Sequence, residues 1–210
     1  MAQLFPIIDT PRLRLREITE TDIPALLAMY DLPETMQWLG ADPLVTADHA
    51  AALVAFIRQG WSLPVPEPRW GIERRDHPGL LIGTVGLRLW DTGARHCQLG
   101  YQLDWRHRSR GYAHEALSTL LAWCFDRMEL HRVNALVHPD NAPSLRVLQK
   151  LGFEVEGLMR DGGFWAGRHH DLLSHGLLRR AFAGARFRAA AASPAVQPVR
   201  TACCAIIEAA

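Results

Sequence analysis

Among the 210 residues, the stretch with most chemical potential is Leu103-Asp104-Trp105-Arg106-His107-Arg108-Ser109-Arg110-Gly111-Tyr112-Ala113. An apolar alternation ends there, a basic loop turns, and an apolar-striped helix begins on Gly and Ala. The first N–H groups of a helix have no intrahelical partner and sit at the positive end of its dipole, so such a start favours an anion such as pyrophosphate. Gly111 and Ala113 let a phosphate approach the backbone, while Arg108 and Arg110 add positive charge. The same residues also fit an ordinary strand-to-helix loop with solvated arginines, because short Gly-containing patterns are common.

Other chemistry-bearing residues are less suggestive. His169-His170-Asp171, with His175 nearby, offers metal-ligand types, but strand alternation sends His169 and His170 to opposite faces. No metal site is expected, and Asp171 reads as support for the last hairpin. Cys97, Cys124, Cys203 and Cys204 form neither a CxxC pair nor a disulfide framework. Arg106-His107-Arg108-x-Arg110 is too short for a nucleic-acid patch.

The elements that position these residues follow from periodicity. Arg12 to Arg16 alternates as a half-buried strand, and Ile18 to Asp22 supplies caps for a helix over Leu26, Leu27, Met29 and Tyr30 that Leu32-Pro33 interrupts. Ala50, Leu53, Val54 and Ile57 stripe a second helix over 47–59, ended by Pro64, Pro66 and Pro68. Extended runs over 70–74, 80–90 and 96–103, separated by Asp76-His77-Pro78-Gly79 and Asp91-Thr92-Gly93, predict an antiparallel meander. Ala113, Ala116, Leu117, Leu120, Leu121, Cys124, Phe125 and Met128 make one continuous apolar helix face, with Cys124 a buried thiol. A strand over 133–137 precedes a helix opened by Asn141-Ala142-Pro143-Ser144 and stopped at Gly152. Two strands, 153–159 and 168–178, are expected to join through Asp161-Gly162-Gly163.

The chain is 49% hydrophobic with 23 Lys+Arg against 22 Asp+Glu, a formal net charge of +1. It can bury a full core, and one domain is the default. Near-neutrality argues against nucleic acid or a membrane surface as a partner. No apolar run approaches a membrane span and the start lacks a leader pattern, so a cytoplasmic protein is expected. Residues 181–210 are Ala-rich and broken by Pro194 and Pro198, which predicts a peripheral or disordered tail after a domain over 1–180.

Arg108-Ser109-Arg110-Gly111-Tyr112-Ala113 resembles the Q/R-x-x-G-x-G/A pyrophosphate loop of the GNAT N-acetyltransferases, and within them the RimJ/RimL-like group. The likeness continues through His114-Glu115-Ala116, Leu130-His131-Arg132-Val133 and Asn141-x-x-Ser144-Leu145-Arg146-Val147-Leu148-x-Lys150-Leu151-Gly152-Phe153. It implies an α+β fold with a mixed, largely antiparallel twisted sheet, a splayed parallel strand pair and flanking helices. It also implies acetyl-CoA as co-substrate, with its pyrophosphate on backbone amides of about Arg108, Ser109, Arg110, Gly111, Tyr112 and Ala113. Pantetheine would thread the gap between strands 96–103 and 132–138, with backbone hydrogen bonds near Leu103 and a polar contact from Asn141.

The chain departs from better-equipped relatives at two positions. Gln98 stands where many carry Glu, and an amide cannot act as a base. Leu148 stands where some carry an acidic Tyr. The resemblance makes Ser144 the candidate donor to the leaving thiolate, though a serine there equally fits the helix cap. Base duty is left to a water held by Gln98, a histidine or bulk solvent. Weak base equipment favours a weakly basic acceptor such as a protein N-terminal α-amine, with a pKa of about 7.7 to 8.0. A small-molecule amine (amino sugar, polyamine or amino acid) and a non-catalytic acyl-CoA-binding module are the alternatives, and a homodimer stays open. Trp38 and Trp61 fall where the family builds its acceptor cleft and are candidate pocket residues.

Overall fold

Eight strands form one sheet in the computed structural model, which describes residues 4–38, 40 and 43–183. They are β1 (Ile8–Asp9), β2 (Leu13–Glu17), β3 (Arg69–Arg74), β4 (Leu81–Asp91), β5 (His96–Leu103), β6 (Arg132–Val137), β7 (Glu154–Trp165) and β8 (Arg168–Leu178). The sheet order is β1-β2-β3-β4-β5-β6-β8-β7. The helices are α1 (Ile23–Tyr30), α2 (Pro33–Met36), α3 (Ala47–Trp61), α4 (Tyr112–Arg127) and α5 (Ala142–Lys150). Pro33 ends α1 and, pre-set for a first helical turn, opens the four-residue α2.

Periodicity explains the two layers. Neighbouring residues of β4 serve different cores: Ile82 joins Leu13, Leu15 and Val85 under α4, whereas Leu81 joins Ile18, Leu26 and Val54 under α1 and α3. Leu81 and Ile82 face apart as strand neighbours do, and the register shift that leaves Ile82 as the extra residue against β3 puts it on the same side as Val85. Leu117, Leu120 and Leu121 of α4 are buried, as the apolar stripe requires.

Every neighbouring pair is antiparallel except β5–β6. That parallel pair runs only from His96↔Arg132 to Leu99↔Ala135. β5 continues on β4 to Leu103, and β6 continues on β8 to Val137. The two strands therefore part at Gly100, leaving a wedge between their C-terminal ends.

The last hairpin corrects one expectation. Asp161-Gly162-Gly163 does not join the strands, because β7 runs through it to Trp165. The register jumps from Met159↔Leu172 to Gly163↔His170, a bulge in which the Asp161 N–H donates to Asp171 Oδ1 at 2.9 Å. The turn is Ala166-Gly167, with φ of 50° and 72°. Two consecutive positive φ values match the right-handed twist of the flanking strands in a two-residue turn. The expected tail falls, apart from 181–183, outside the described residues, and Phe182 packs on Phe125 at 5.2 Å.

Candidate active site

The loop between β5 and α4 is held from several sides. Asp104, 4% exposed, accepts from the Arg106 N–H at 2.9 Å and pairs with Arg106 Nη2 at 2.6 Å. Arg106 is thus committed to a carboxylate rather than left for phosphates. Arg108 Nε donates to Leu103 O at 3.2 Å, closing the loop on the strand it leaves. Ser109 and Gly111 have φ of 61° and 79°, and no side chain caps α4. Among the described residues the amides of 109–113 have no protein acceptor. These uncapped donors fit a diphosphate.

Glu115, in the first turn of α4, ties this loop to the β1–β2 turn. It accepts from Thr10 Oγ1 at 2.6 Å, Arg12 N at 2.8 Å and Arg12 Nε at 2.6 Å, and Arg12 Nη1 donates to Arg110 O at 3.0 Å. Burial works to raise the Glu115 carboxyl, but these donors outweigh it and hold the group below its ordinary value. The Arg12 guanidinium also covers the Tyr112 ring at 4.7 Å.

At the wedge the two faces of the sheet differ. On the α4–α5 face, Tyr101 Oη lies 2.7 Å from Ser144 Oγ. Burial pushes the Tyr101 hydroxyl up to about 12 against the pull of Ser144, so it remains a donor. Asn141 Oδ1 caps α5 by accepting from Ser144 N at 3.2 Å. The Ser144 backbone is therefore in the cap while its hydroxyl faces Tyr101. Leu148 is fully buried core. Gln98 sits in the paired part of the sheet, between Arg88 and Asn134 and before the wedge opens.

The opposite face carries Thr84 and Gly86 from β4, Gln98, Gly100 and Gln102 from β5, and Asn134 from β6, none of them acidic. Space above Gly100 is open: a Cβ there would meet nothing within 4 Å. Just past β6, His138 contacts Trp38 with ring centroids 4.4 Å apart, and His170 at 5.4 Å. Trp165 stacks on His170 at 3.6 Å with an interplanar angle of 5°. His138 Nδ1 accepts from the Asp140 N–H at 3.1 Å, with Asp140 Oδ2 at 3.8 Å. Burial lowers the His138 pKa from its ordinary 6.5 despite the pull of Asp140, so the ring is neutral at pH 7. Of the two candidate tryptophans, Trp38 joins this box, whereas Trp61 packs on Phe5 at 5.2 Å against the main core.

His138, Trp165 and His170 come together from separate elements, and Tyr101 meets Ser144 on the other face; spacing singled out neither group. Only the alternation of Leu99, Tyr101 and Leu103 hinted that Tyr101 faces the helix that bears Ser144. Among the described residues, no group of three or more His, Cys, Asp or Glu could hold a metal ion. No helix there is long and apolar enough to cross a membrane.

Comparison with known proteins fits this geometry. Residues 12–154 match the acetyltransferase (GNAT) domain family. The uncharacterized N-acetyltransferase YoaA of Bacillus subtilis is 33% identical over 171 residues, covering 80% of this chain and 94% of that protein. RimJ of Mycobacterium smegmatis, solved with CoA-disulfide, superposes at a TM-score of 0.70 with 22% identity, over 84% of this chain and 87% of that one. Spermidine N-acetyltransferase of Vibrio cholerae, solved with CoA and spermine, superposes at 0.69 with 21% identity, over 80% and 96%. At these identities the two structures share the fold.

Proposed function

The chain belongs to the GNAT acetyltransferase family and is an N-acetyltransferase that uses acetyl-CoA, and we propose that its acceptor is an α-amine. The observation that carries this reading is the face around Gly100. It presents amides, a hydroxyl and a neutral imidazole, with no carboxylate on β4, β5 or β6 beside the wedge to hold a polycation. A protein N-terminus, to which the RimJ/RimL resemblance points, and a free amino acid both present such an amine.

Acetyl-CoA supplies an acetyl group already activated as a thioester. In this reading the 109–113 amides and Arg110 bind its diphosphate, and Leu103 and Asn141 flank its pantetheine path. Gln98 helps to hold water beside the wedge. His138 is assigned the base: Nε2 accepts the amine proton once the ring takes the tautomer protonated on Nδ1, which gives up the Asp140 N–H bond and turns Nδ1–H towards the Asp140 carboxylate 3.8 Å away. Ser144, itself hydrogen-bonded by Tyr101, is assigned as donor to the departing thiolate.

Three expectations test these assignments. A competition among an α-amine peptide, spermidine and Nα-blocked lysine should yield acetylated peptide first; faster acetylation of spermidine contradicts the reading. Imidazolium cannot accept a proton, and burial holds the His138 pKa under 6.5, so kcat should stay level through pH 7 and fall only below pH 6.5. His138→Gln should lower kcat by about 100-fold and erase that acid limb; an unchanged profile would remove His138 from the chemistry. Ser144→Ala and Tyr101→Phe should each lower kcat by roughly 10-fold or more with acetyl-CoA affinity unchanged. A lowered melting temperature with normal kcat would instead assign the pair to packing.

A further inference from the structure

Arg69, in β3, carries a half-buried guanidinium within electrostatic reach of Tyr30 at the end of α1, with no carboxylate within ion-pair distance among the described residues. Among the described residues its hydrogen-bond partner is Thr84, with Nη1 donating to Oγ1 at 3.2 Å. Glu67, the acidic residue nearest in sequence, spends Oε1 on the Leu89 N–H at 3.0 Å. Burying a cation without a counter-ion is costly, and lone buried charges mark places where a ligand supplies the partner. Burial lowers the Arg69 pKa from its ordinary value, but a guanidinium remains charged.

The sheet register says where this charge points. Arg69 pairs with Gly86, and Gly86 pairs with Gly100, so the three form one row across β3, β4 and β5. Glycine at 86 leaves room for the arginine to lie across the sheet: a Cβ there would meet Arg69 Cβ and Nε at 3.2 Å. The row ends on the open space above Gly100, where β5 leaves β6. Two residues further along β5 on the same face, Gln102 lies opposite Thr84, and its buried Oε1 has no partner among the described residues. A guanidinium without a carboxylate and a buried acceptor without a donor, among the described residues, thus share the face of the sheet that opens above Gly100.

The geometry points to a free α-amino acid as the acceptor, its carboxylate held by Arg69 and its amino group by Gln102. This rests on the α-amine reading above and narrows it. Neighbouring strands lie about 5 Å apart, so the guanidinium over Gly86 and the open space over Gly100 match an amine and a carboxylate that share one carbon. In a peptide the carboxylate lies far from the N-terminal amine, and Arg69 would stay unpaired. The pairing also activates the nucleophile. A neighbouring carboxylate stabilises the ammonium form, and the guanidinium cancels that field, which favours the neutral amine that attacks. The amine then forms the amide bond, the thioester C–S bond breaks, and the amine proton leaves to the base.

The test compares neutral amino acids with their C-terminal amides, which keep the α-amine and lose the carboxylate. With wild-type protein the free acids should exceed the amides in kcat/KM on the order of 30-fold. Arg69→Met should bring that ratio near one, and Arg69→Lys should restore part of it. Calorimetric binding of the N-acetylated acids against their amides supplies a readout independent of turnover and should show the same preference. Should the amides and N-terminal peptides be acetylated as well as the free acids, or the two product forms bind equally, the Arg69 assignment falls while the α-amine reading stands. Should no α-amine be acetylated, the α-amine reading itself fails, and the binding comparison still decides whether Arg69 takes a carboxylate. The wild-type comparison needs no variant to fold.

Discussion

Gly111→Glu is expected to weaken acetyl-CoA binding by about 100-fold or more, equivalent to about 3 kcal/mol, as measured by calorimetry on folded protein. The substitution puts a carboxylate among the uncapped amides of 109–113, where the cofactor's own anion must sit. It also forces a side chain onto a residue with φ of 79°, at a cost of about 1–2 kcal/mol for most L-residues. The fold has reason to survive, because a Cβ at 111 comes no closer than 3.4 Å to Arg12 Nη2, a flexible cation. Gly111→Asn separates charge from backbone, since Asn tolerates the left-handed region. It should retain binding to within about 10-fold. Undiminished affinity in the Glu variant would remove the diphosphate from this loop.

The second large effect concerns stability. Arg16 holds Asp22 with two hydrogen bonds of 2.8 Å and also pairs with Glu73. Asp22 and Glu73 are 2% and 8% exposed, so one guanidinium neutralises two carboxylates taken out of water. Asp22 Oδ2 further accepts from Thr19 N at 2.9 Å, fixing the entry to α1. Arg16→Met leaves both acids unpaired and should cost about 3–5 kcal/mol. For a domain of this size that lowers the melting temperature by roughly 10 °C. Replacing Arg16, Asp22 and Glu73 together with apolar residues should recover most of the loss, because no buried charge is then uncompensated. A single variant that melts with the wild type would mean that water reaches these acids.

The cofactor half of the site was legible because its signals are local. Gly111 and the stripe from Ala116 to Cys124 specify a left-handed entry into a long helix. Asn141 and Pro143 likewise specify the start of α5 within four residues. The acceptor half was not, because it depends on which residues stand opposite each other across strands. Arg69, Gly86 and Gly100 form a row only once β3, β4 and β5 are in register, and His138 meets Trp38 and His170 from three separate elements. The last hairpin shows the same limit. Asp161-Gly162-Gly163 has the stronger turn composition, yet the strand bulges there and turns at Ala166-Gly167. Pairing of Trp165 with Arg168, and the stacking of Trp165 on His170, favour carrying the strand past the glycines.

The most direct test of the account follows free CoA thiol and acetylated product together, with acetyl-CoA and a panel of α-amines under saturating cofactor. The account predicts stoichiometric release of thiol and formation of N-acetyl product, dependent on the amine and lost in Gly111→Glu. Tight acetyl-CoA binding without thiol release on any α-amine would contradict it; only the same silence on polyamines and lysine side chains would make the chain an acyl-CoA-binding module built on an acetyltransferase fold.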